Sequence, residues 1–447
     1  MNQADILHLI ESKSYVELKK ELADMNPVDI AEILDPIDPN TTLLIFRMLP
    51  KDSAVEVFSH FSNNQQREII NAITDKELNY ILDELFFDDM IDMIEEMPAN
   101  VVNKILQNST TDERKLINQF LKYPQDSSGS LMTIEYVELN QFMTVAESME
   151  HIKEVGLNRE TVYTCYVINK NRVLEGIVSL RDLVTSDSAT IVKDLMVDVE
   201  DIVFVNTHDD QETVAKLFVK YGYLALPVVD NERRLTGIIT VDDIMDVMEQ
   251  EATEDFQKMA AMEASDEAYL DTSVMQLAKH RIPWLLILMV GAALTGGIIT
   301  RYENVLSSMV VLMAFIPMLM DSGGNSGSQS STLIIRGLAI GEVTLADKWK
   351  VLWKEFRVSI IVGLSLGVVN FTKNMLLDRV GFQVAVTVSV TLVATVVMAK
   401  MIGGMLPLVA KKLKLDPAIM AGPLITTLVD SFALILYFQI ASMFLGL

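Results

Sequence analysis

Of 447 residues only Cys165 is a cysteine, so the chain forms no internal disulfide and fits a reducing compartment. Histidine is also scarce. His8, His60, His151, His208 and His280 are scattered without metal-ligand spacing, so core, surface or interface roles are expected rather than zinc binding. No constellation of nucleophile and base points to an enzyme, and no catalytic residue is assigned. The opening MNQADILHLIESK lacks a basic region followed by a long apolar run, so a secretory signal peptide is not expected. The first two thirds lack positive charge: up to Asp271, 22 Lys and Arg face 53 Asp and Glu, a net of −31. From Thr272 onward the ratio is 14 to 8, a net of +6. An acidic surface repels nucleic acid and the anionic inner leaflet while it attracts cations, so nucleic acid is excluded as a partner. The split implies an acidic soluble part joined to a membrane part.

Long apolar runs are confined to the last third. Ile282 to Thr300 carries no charge and, at roughly 1.5 Å per helical residue, is long enough to cross a hydrocarbon core. Further spans are expected at about Val305–Arg336, Trp353–Leu377, Phe382–Ala410 and Ala418–Leu447, five in all. Lys279 and Arg281, then Lys348, Lys350, Lys354 and Arg357, then Lys411, Lys412 and Lys414 lie on one side; only Arg301, Lys373 and Arg379 lie on the other. Positive charge is retained inside, which places the N-terminus in the cytosol and the C-terminus outside a plasma-membrane protein.

Two features are too polar for lipid-facing anchors. In the second span Asp321 to Thr332 reads DSGGNSGSQSST, and Pro317, Gly323, Gly324 and Gly327 predict a bent or unwound backbone whose carbonyls, with Asn and Ser oxygens, suit a hydrated cation. Close helix packing is the alternative for its glycines, as it is for Gly363 and Gly367 in the third span. The fifth span carries Asp430, and steps of four align it with Ala418, Gly422 and Thr426 in a small, polar stripe suited to a pore lining. A structural carboxylate bonded to a neighbouring helix is the other reading of Asp430.

The acidic part contains a weak repeat. Leu131-Met-Thr recurs as Leu195-Met-Val, and GIVSLRDL at Gly176 as GIITVDDI at Gly237. Each copy joins an amphipathic segment to two β-rich runs and a helix start, which resembles a tandem pair of cystathionine β-synthase (CBS) domains. That family binds adenine nucleotides where Ser179 to Asp182 and Thr240 to Asp243 stand, hydroxyl and carboxylate contacting phosphate and ribose. The same spacing is an ordinary helix cap. Residues up to about Lys122 read as short helices separated by Pro and Asp. TVDDIMDVMEQEATEDFQKMAAMEASDEAYL predicts one long helix, on which Asp243, Asp246, Glu251, Glu254 and Asp255 form acidic patches suited to Mg²⁺.

The predicted fold is multi-domain: an all-α helical-repeat N-domain (1–128), an α/β tandem CBS pair (129–193 and 194–248), an acidic connecting plug helix (249–276) and an α-helical bundle of five spans (277–447). That order, with GGNSGSQSSTLIIR and LDPAIMAGPLITTLVDSF in the last domain, resembles the MgtE family of magnesium transporters along essentially the whole chain. The resemblance implies a homodimer with one pore, lined by the second and fifth spans and conducting Mg²⁺ down its gradient. It implies that cytosolic Mg²⁺ holds the plug helix shut in negative feedback, with an adenine nucleotide such as ATP at the CBS pair. By local match Asp430 corresponds to the pore carboxylate and Asn325 lies in the narrow polar segment. Asp243, Asp246, Glu251, Glu254 and Asp255 correspond to sensor ligands, Asp88 and Asp92 to the N-domain acidic pair, and Asp416 to a carboxylate beside the pore. Glu56, Asp210 and Glu212 match more weakly. Gly222 stands where some relatives carry an acid, which weakens one sensor site. Two rival readings are a CBS-regulated channel for another ion and a non-conducting membrane cation sensor. An anion pathway would want basic groups within the membrane, whereas the intramembrane ionisable groups expected here are Asp321 and Asp430.

Overall fold

The computed structural model describes residues 3–265, 269–270 and 272–446. The chain forms two compact units, Met1–Met248 and Glu249–Leu447.

The first unit opens with short helices: α1 (Gln3–Glu11), α2 (Tyr15–Leu22), α3 (Pro27–Leu34), α4 (Pro39–Phe46), α5 (Lys51–Ser59), α6 (Asn63–Ala72), α7 (Asp75–Glu84), α8 (Phe87–Glu96), α9 (Ala99–Asn108) and α10 (Thr111–Phe120). The breakers read from sequence start these helices. Pro27 and Pro39 take the first helical position behind the capping side chains of Asn26 and Asp38, and Pro50 and Pro98 precede α5 and α9. Thr74 with Glu77 and Thr110 with Glu113 close reciprocal capping boxes on α7 and α10. Leu, Ile, Val and Phe from successive helices fill one apolar core, which continues into the CBS pair through Met132 of the first copy and Val214, Leu226 and Ile239 of the second.

The repeat folds as two sheets. After the short α11 (Ser128–Leu131) come β1 (Tyr136–Leu139), α12 (Val145–Val155), β2 (Thr161–Ile168), β3 (Leu174–Ser179), α13 (Leu180–Thr185) and β4 (Val197–Asp198). Then follow β5 (Val205–Asn206), α14 (Gln211–Tyr221), β6 (Ala225–Val229) and β7 (Leu235–Thr240). In both copies the first strand pairs parallel to the second, and the second antiparallel to the third. Each copy also lends backbone to the other: Thr133 bridges Ile238 of β7, while β4 pairs Asp198 with Gly176 of β3. Tyr136, Tyr166, Leu174, Ala225 and Ile238 share one core between the copies, so neither copy is complete alone.

The connecting helix is shorter than expected. α15 (Val241–Met259) starts directly from β7 and stops where Ala261 takes a left-handed φ of 53°. The Gln257 side chain fastens the following turn, its amide donating to the Ser265 carbonyl at 2.9 Å and its oxygen accepting from the Ser265 N–H at 2.7 Å. Met262 N donates back to Gln257 O at 3.0 Å, so the helix ends with its carbonyls bonded although neither Gly nor Pro is present. Residues 266–268 and 271, within the expected helix, lie outside the described residues, as does Leu447 at the end of the expected fifth span.

The second unit holds five long helices: α16 (Val274–Arg301), then after the short α17 (Glu303–Ser308) α18 (Ile316–Ala339), α19 (Lys348–Leu376), α20 (Phe382–Lys412) and α21 (Gly422–Leu445). Among the described residues three segments are individually long and apolar enough to cross a membrane: Val274–Arg301, Phe382–Lys412 and Pro417–Leu445. Leu285, Ile287, Leu294, Ile361, Leu364 and Val368 face outward with more than half of their surface open, the reverse of a soluble helix bundle.

The second span differs from expectation. Asp321 to Thr332 is continuous helix within α18, and the irregular backbone lies earlier, in the 3₁₀ segment Val310–Phe315. Pro317 lies in the first turn of α18, where its missing N–H costs nothing, and Tyr437 Oη donates to the Leu312 carbonyl at 3.0 Å, satisfying the irregular segment from within the protein. The glycines serve contact. A Cβ on Gly403 of α20 would collide with the carbonyl oxygen of Gly327, and Cβ atoms on Gly323 and Gly324 would press on Thr395, Val429 and Thr426. Gly363 and Gly367 likewise let α19 approach Val393 of α20.

Candidate cation pathway and sensor sites

On α18, steps of four put Asp321, Asn325 and Gln329 on one face, and all three are exposed on helices otherwise coated with Leu, Ile and Val. α21 packs beside it, with Thr426 against Gly324. Its Gly422, Thr426 and Asp430 are partly exposed, whereas Ala418 is fully buried in the 3₁₀ turn Pro417–Met420 and leaves the expected stripe. The unit thus presents an open polar strip of two carboxylates and two amides.

Two buried ionisable groups of the second unit carry no sequence expectation. Lys400, within the apolar α20, is 4% exposed, and Glu355, in the basic first turns of α19, is 8% exposed. A lone Lys in VVMAKMIGG and a Glu near the basic start of the third span carry a weak hydropathy signal, which is why hydropathy alone passed over them. The ionisable groups of the long helices therefore include Lys400 and Glu355 besides the expected Asp321 and Asp430.

In the first unit carboxylates converge where α8 meets the start of α15. Asp88 is buried, and burial together with Asp243, Asp89 and Glu160 pushes its carboxyl well above the usual range. Burial and Asp242 lift Asp89 to about 6, and burial with Asp243, Asp242 and Asp89 lifts Glu160 to about 7. Asp243 rises to about 6 through burial, although Thr240 donates a hydrogen bond to it at 2.5 Å. Burial and neighbouring like charges each disfavour the charged form of a carboxyl, which displaces these titrations upward. Asp89, Glu160 and Asp242 were not foreseen as members; Asp89 and Asp242 adjoin Asp88 and Asp243 in sequence, and folding brings the two pairs and Glu160 together. Asp92 lies exposed one turn on from Asp88, Asp246 is exposed on α15, and Glu56 is exposed on α5.

Other expected ligands have nearer employment. Asp210 caps α14 by accepting from Glu212 N and Thr213 N, and Glu212 pairs with Lys216 at 2.7 Å. Gly222 ends α14 with a left-handed φ of 67°, a backbone reason for glycine at that position. In the second unit Glu251 and Asp255 are partly buried on α15. Lys258 binds two of the expected ligands at once, Glu254 and, at 2.7 Å, Asp416. Burial opposes the Lys258 ammonium, but its bonds to Asp416 and Glu254 outweigh that and hold its pKa above the ordinary value. Asp416 also caps the turn before α21, accepting from Ala418 N at 2.8 Å. Among the described residues no three carboxylate, imidazole or thiol groups form a ready-made metal site.

A cavity of about 800 Å³ opens between the CBS copies, lined by Tyr163, Ser179, Arg181, Val203, Tyr223 and Leu224. Aromatic faces, a guanidinium and a hydroxyl suit a base and a phosphate. Ser179 also caps α13, its hydroxyl donating to Asp182 at 2.6 Å. The corresponding Thr240 and Asp243 face the carboxylate cluster instead of this cavity.

Comparison with known proteins follows this division. Family models described as MgtE divalent cation transporter, MgtE intracellular N domain and CBS domain match residues 316–440, 25–126 and 192–250. The chain is 36% identical to the magnesium transporter MgtE of Thermus thermophilus, over 96% of this chain and 95% of that protein. It is 32% identical to the magnesium transporter MgtE of Bacillus subtilis, over 98% and 99%. Among solved structures, the cytosolic domain of the Mg²⁺ channel MgtE in complex with ATP aligns with 55% of this chain and 100% of that one, at 33% identity and a TM-score of 0.52.

Proposed function

The chain belongs to the MgtE family of magnesium transporters, and from that premise we propose that it carries Mg²⁺ along the α18 and α21 strip, through a pore formed by two copies of the chain. The observation that carries this reading is the exposed line of Asp321, Asn325 and Gln329 beside Asp430, polar groups left open on membrane helices. Carboxylates there attract the cation, and the Asn325 amide oxygen replaces or binds its water. All five long helices span the bilayer, with the N-terminus in the cytosol and the C-terminus outside. In proteoliposomes loaded with a Mg²⁺ indicator, Asp430→Ala abolishes uptake while the protein remains monodisperse in detergent. Uptake at the unaltered rate would reject the pathway and favour the non-conducting sensor.

Regulation follows from the acidic first unit. Asp88, Asp89, Glu160 and Asp243, with Asp242 beside them, fit a hard divalent ion, because desolvation and neighbouring carboxylates already disfavour the charged state of the first four. Bound Mg²⁺ supplies positive charge that offsets this repulsion. Asp92 and Asp246 extend the cluster, and Glu251, Glu254, Asp255 and Asp416 act nearer the membrane. Occupancy favours the closed state, so cytosolic Mg²⁺ shuts its own entry. Neutralising Asp246 and Glu254 together leaves uptake high at a cytosolic Mg²⁺ level that shuts the unaltered protein, and unchanged inhibition would sink their assignment. The cavity at Tyr163, Ser179 and Arg181 takes an adenine nucleotide, with Arg181 on phosphate. The reading assigns no catalytic step.

A further inference from the structure

Lys400 and Glu355 are buried opposite charges whose charged ends are joined by Ser330 of α18. The Ser330 hydroxyl donates to Glu355 Oε2 at 2.6 Å and lies 3.5 Å from Lys400 Nζ. The ammonium also donates to the Ser326 carbonyl at 3.5 Å and to Gln329 Oε1 at 3.3 Å. A charge buried among apolar helices persists where an opposite charge and hydrogen bonds compensate it, and these groups supply both. Gly404 provides the room: a Cβ there would press on Glu355 Cγ. Lys400 therefore sits behind α18, and Gln329 is its partner that reaches the exposed strip.

That contact has a chemical consequence. An amide has one acceptor oxygen and two N–H donors. With its oxygen turned to Lys400, Gln329 withdraws an acceptor from the strip. A hydrated cation presents water hydrogens outward and seeks acceptors, so this withdrawal limits how tightly the ion is held. Conduction needs binding weak enough for the ion to leave.

We propose that Lys400, balanced by Glu355 through Ser330, is a positioning residue of the cation pathway: it holds the Gln329 oxygen away from the strip and so sets how tightly Mg²⁺ is bound in passage. The inference rests on the strip being that pathway. The full chain in proteoliposomes tests it. Lys400→Met and Glu355→Gln singly each lower the yield of folded protein by about threefold or more, and the double variant recovers it, as charge compensation requires. In the double variant the freed Gln329 oxygen lowers the half-saturating Mg²⁺ concentration by about threefold or more, with maximal flux falling too. Adding Gln329→Ala to the double variant reverses that tightening. Full yield of either single variant, or no recovery in the double, overturns the pairing; recovered yield with unchanged half-saturation overturns the positioning role. The pathway itself is tested separately by Gln329→Cys, since Cys165 is buried. Labelling by an impermeant maleimide that Mg²⁺ slows supports it. An unlabelled cysteine rejects the pathway, and the proposal with it, whatever the Lys400 variants do.

Discussion

Gly403 and Gly327 decide how closely α20 approaches α18, because a methyl on either backbone meets the other helix. Gly403→Val is expected to destabilise the second unit by about 1–3 kcal/mol, seen as a lower melting temperature in detergent; an unchanged melt would mean that the contact relaxes freely. Gly222 teaches a related lesson. Its sequence context suggested a missing acid, yet its left-handed backbone closes α14. Gly222→Ala should cost roughly 1 kcal/mol and leave Mg²⁺ inhibition unaltered; a shifted inhibition curve would give the position a sensor role after all. Asp430 and Asn325 were legible because a polar residue stands out against an apolar run. Lys400 and Glu355 were not, because their meaning lies in Ser330, 25 residues from Glu355 and 70 from Lys400 in sequence.

At the scale of elements, α15 was the least well read. Its acidic composition and freedom from breakers predicted a helix of about thirty residues, but a left-handed Ala261 and the Gln257 clamp end it at Met259. Its final turn is tied by Lys258 to Glu254 and Asp416, so an ammonium already joins carboxylates expected to meet through Mg²⁺. Partly exposed pairs of this kind contribute about 0.2–1 kcal/mol each. If closure uses this tie, Lys258→Met raises uptake at low internal Mg²⁺ by roughly two- to fivefold and makes closure depend more steeply on Mg²⁺. Flux assayed against internal Mg²⁺ checks this, and superimposable curves would exclude Lys258 from gating. α18 shows the converse. Polar and Gly-rich composition suggested unwinding, but the polar side chains and close helix contacts are accommodated in a regular helix, with the irregularity displaced to Val310–Phe315.

At the scale of the whole molecule, the net of −31 before Thr272 is not spread evenly over a surface. Part of it is gathered between α8 and the start of α15, where Asp89 and Asp243 titrate near 6 and Glu160 near 7. Their folded values lie above the ordinary carboxylate range, so the stability of this arrangement is greatest below about pH 4 and is lost as pH rises through 6 to 7. With Mg²⁺ chelated, protease cleavage near Tyr123 to Ser127, where the helical domain joins the CBS pair, should increase from pH 5 to pH 8, and added Mg²⁺ should suppress it. Cleavage independent of pH and of Mg²⁺ would reject the cluster as a sensor.

The order of domains, the apolar spans, the acidic bias and the strand–strand–helix repeat were determined by the sequence itself, because each rests on local periodicity or composition. The reciprocal bridges between the CBS copies, the convergence of Asp88 with Glu160 and Asp243, and the bond from Lys400 through Ser330 to Glu355 were decided only by tertiary structure. The physical reason is common to all three. A hydrogen bond or a repulsion between charges depends on distance in space, and that distance is set by the packing of many apolar side chains at once rather than by the residues that meet.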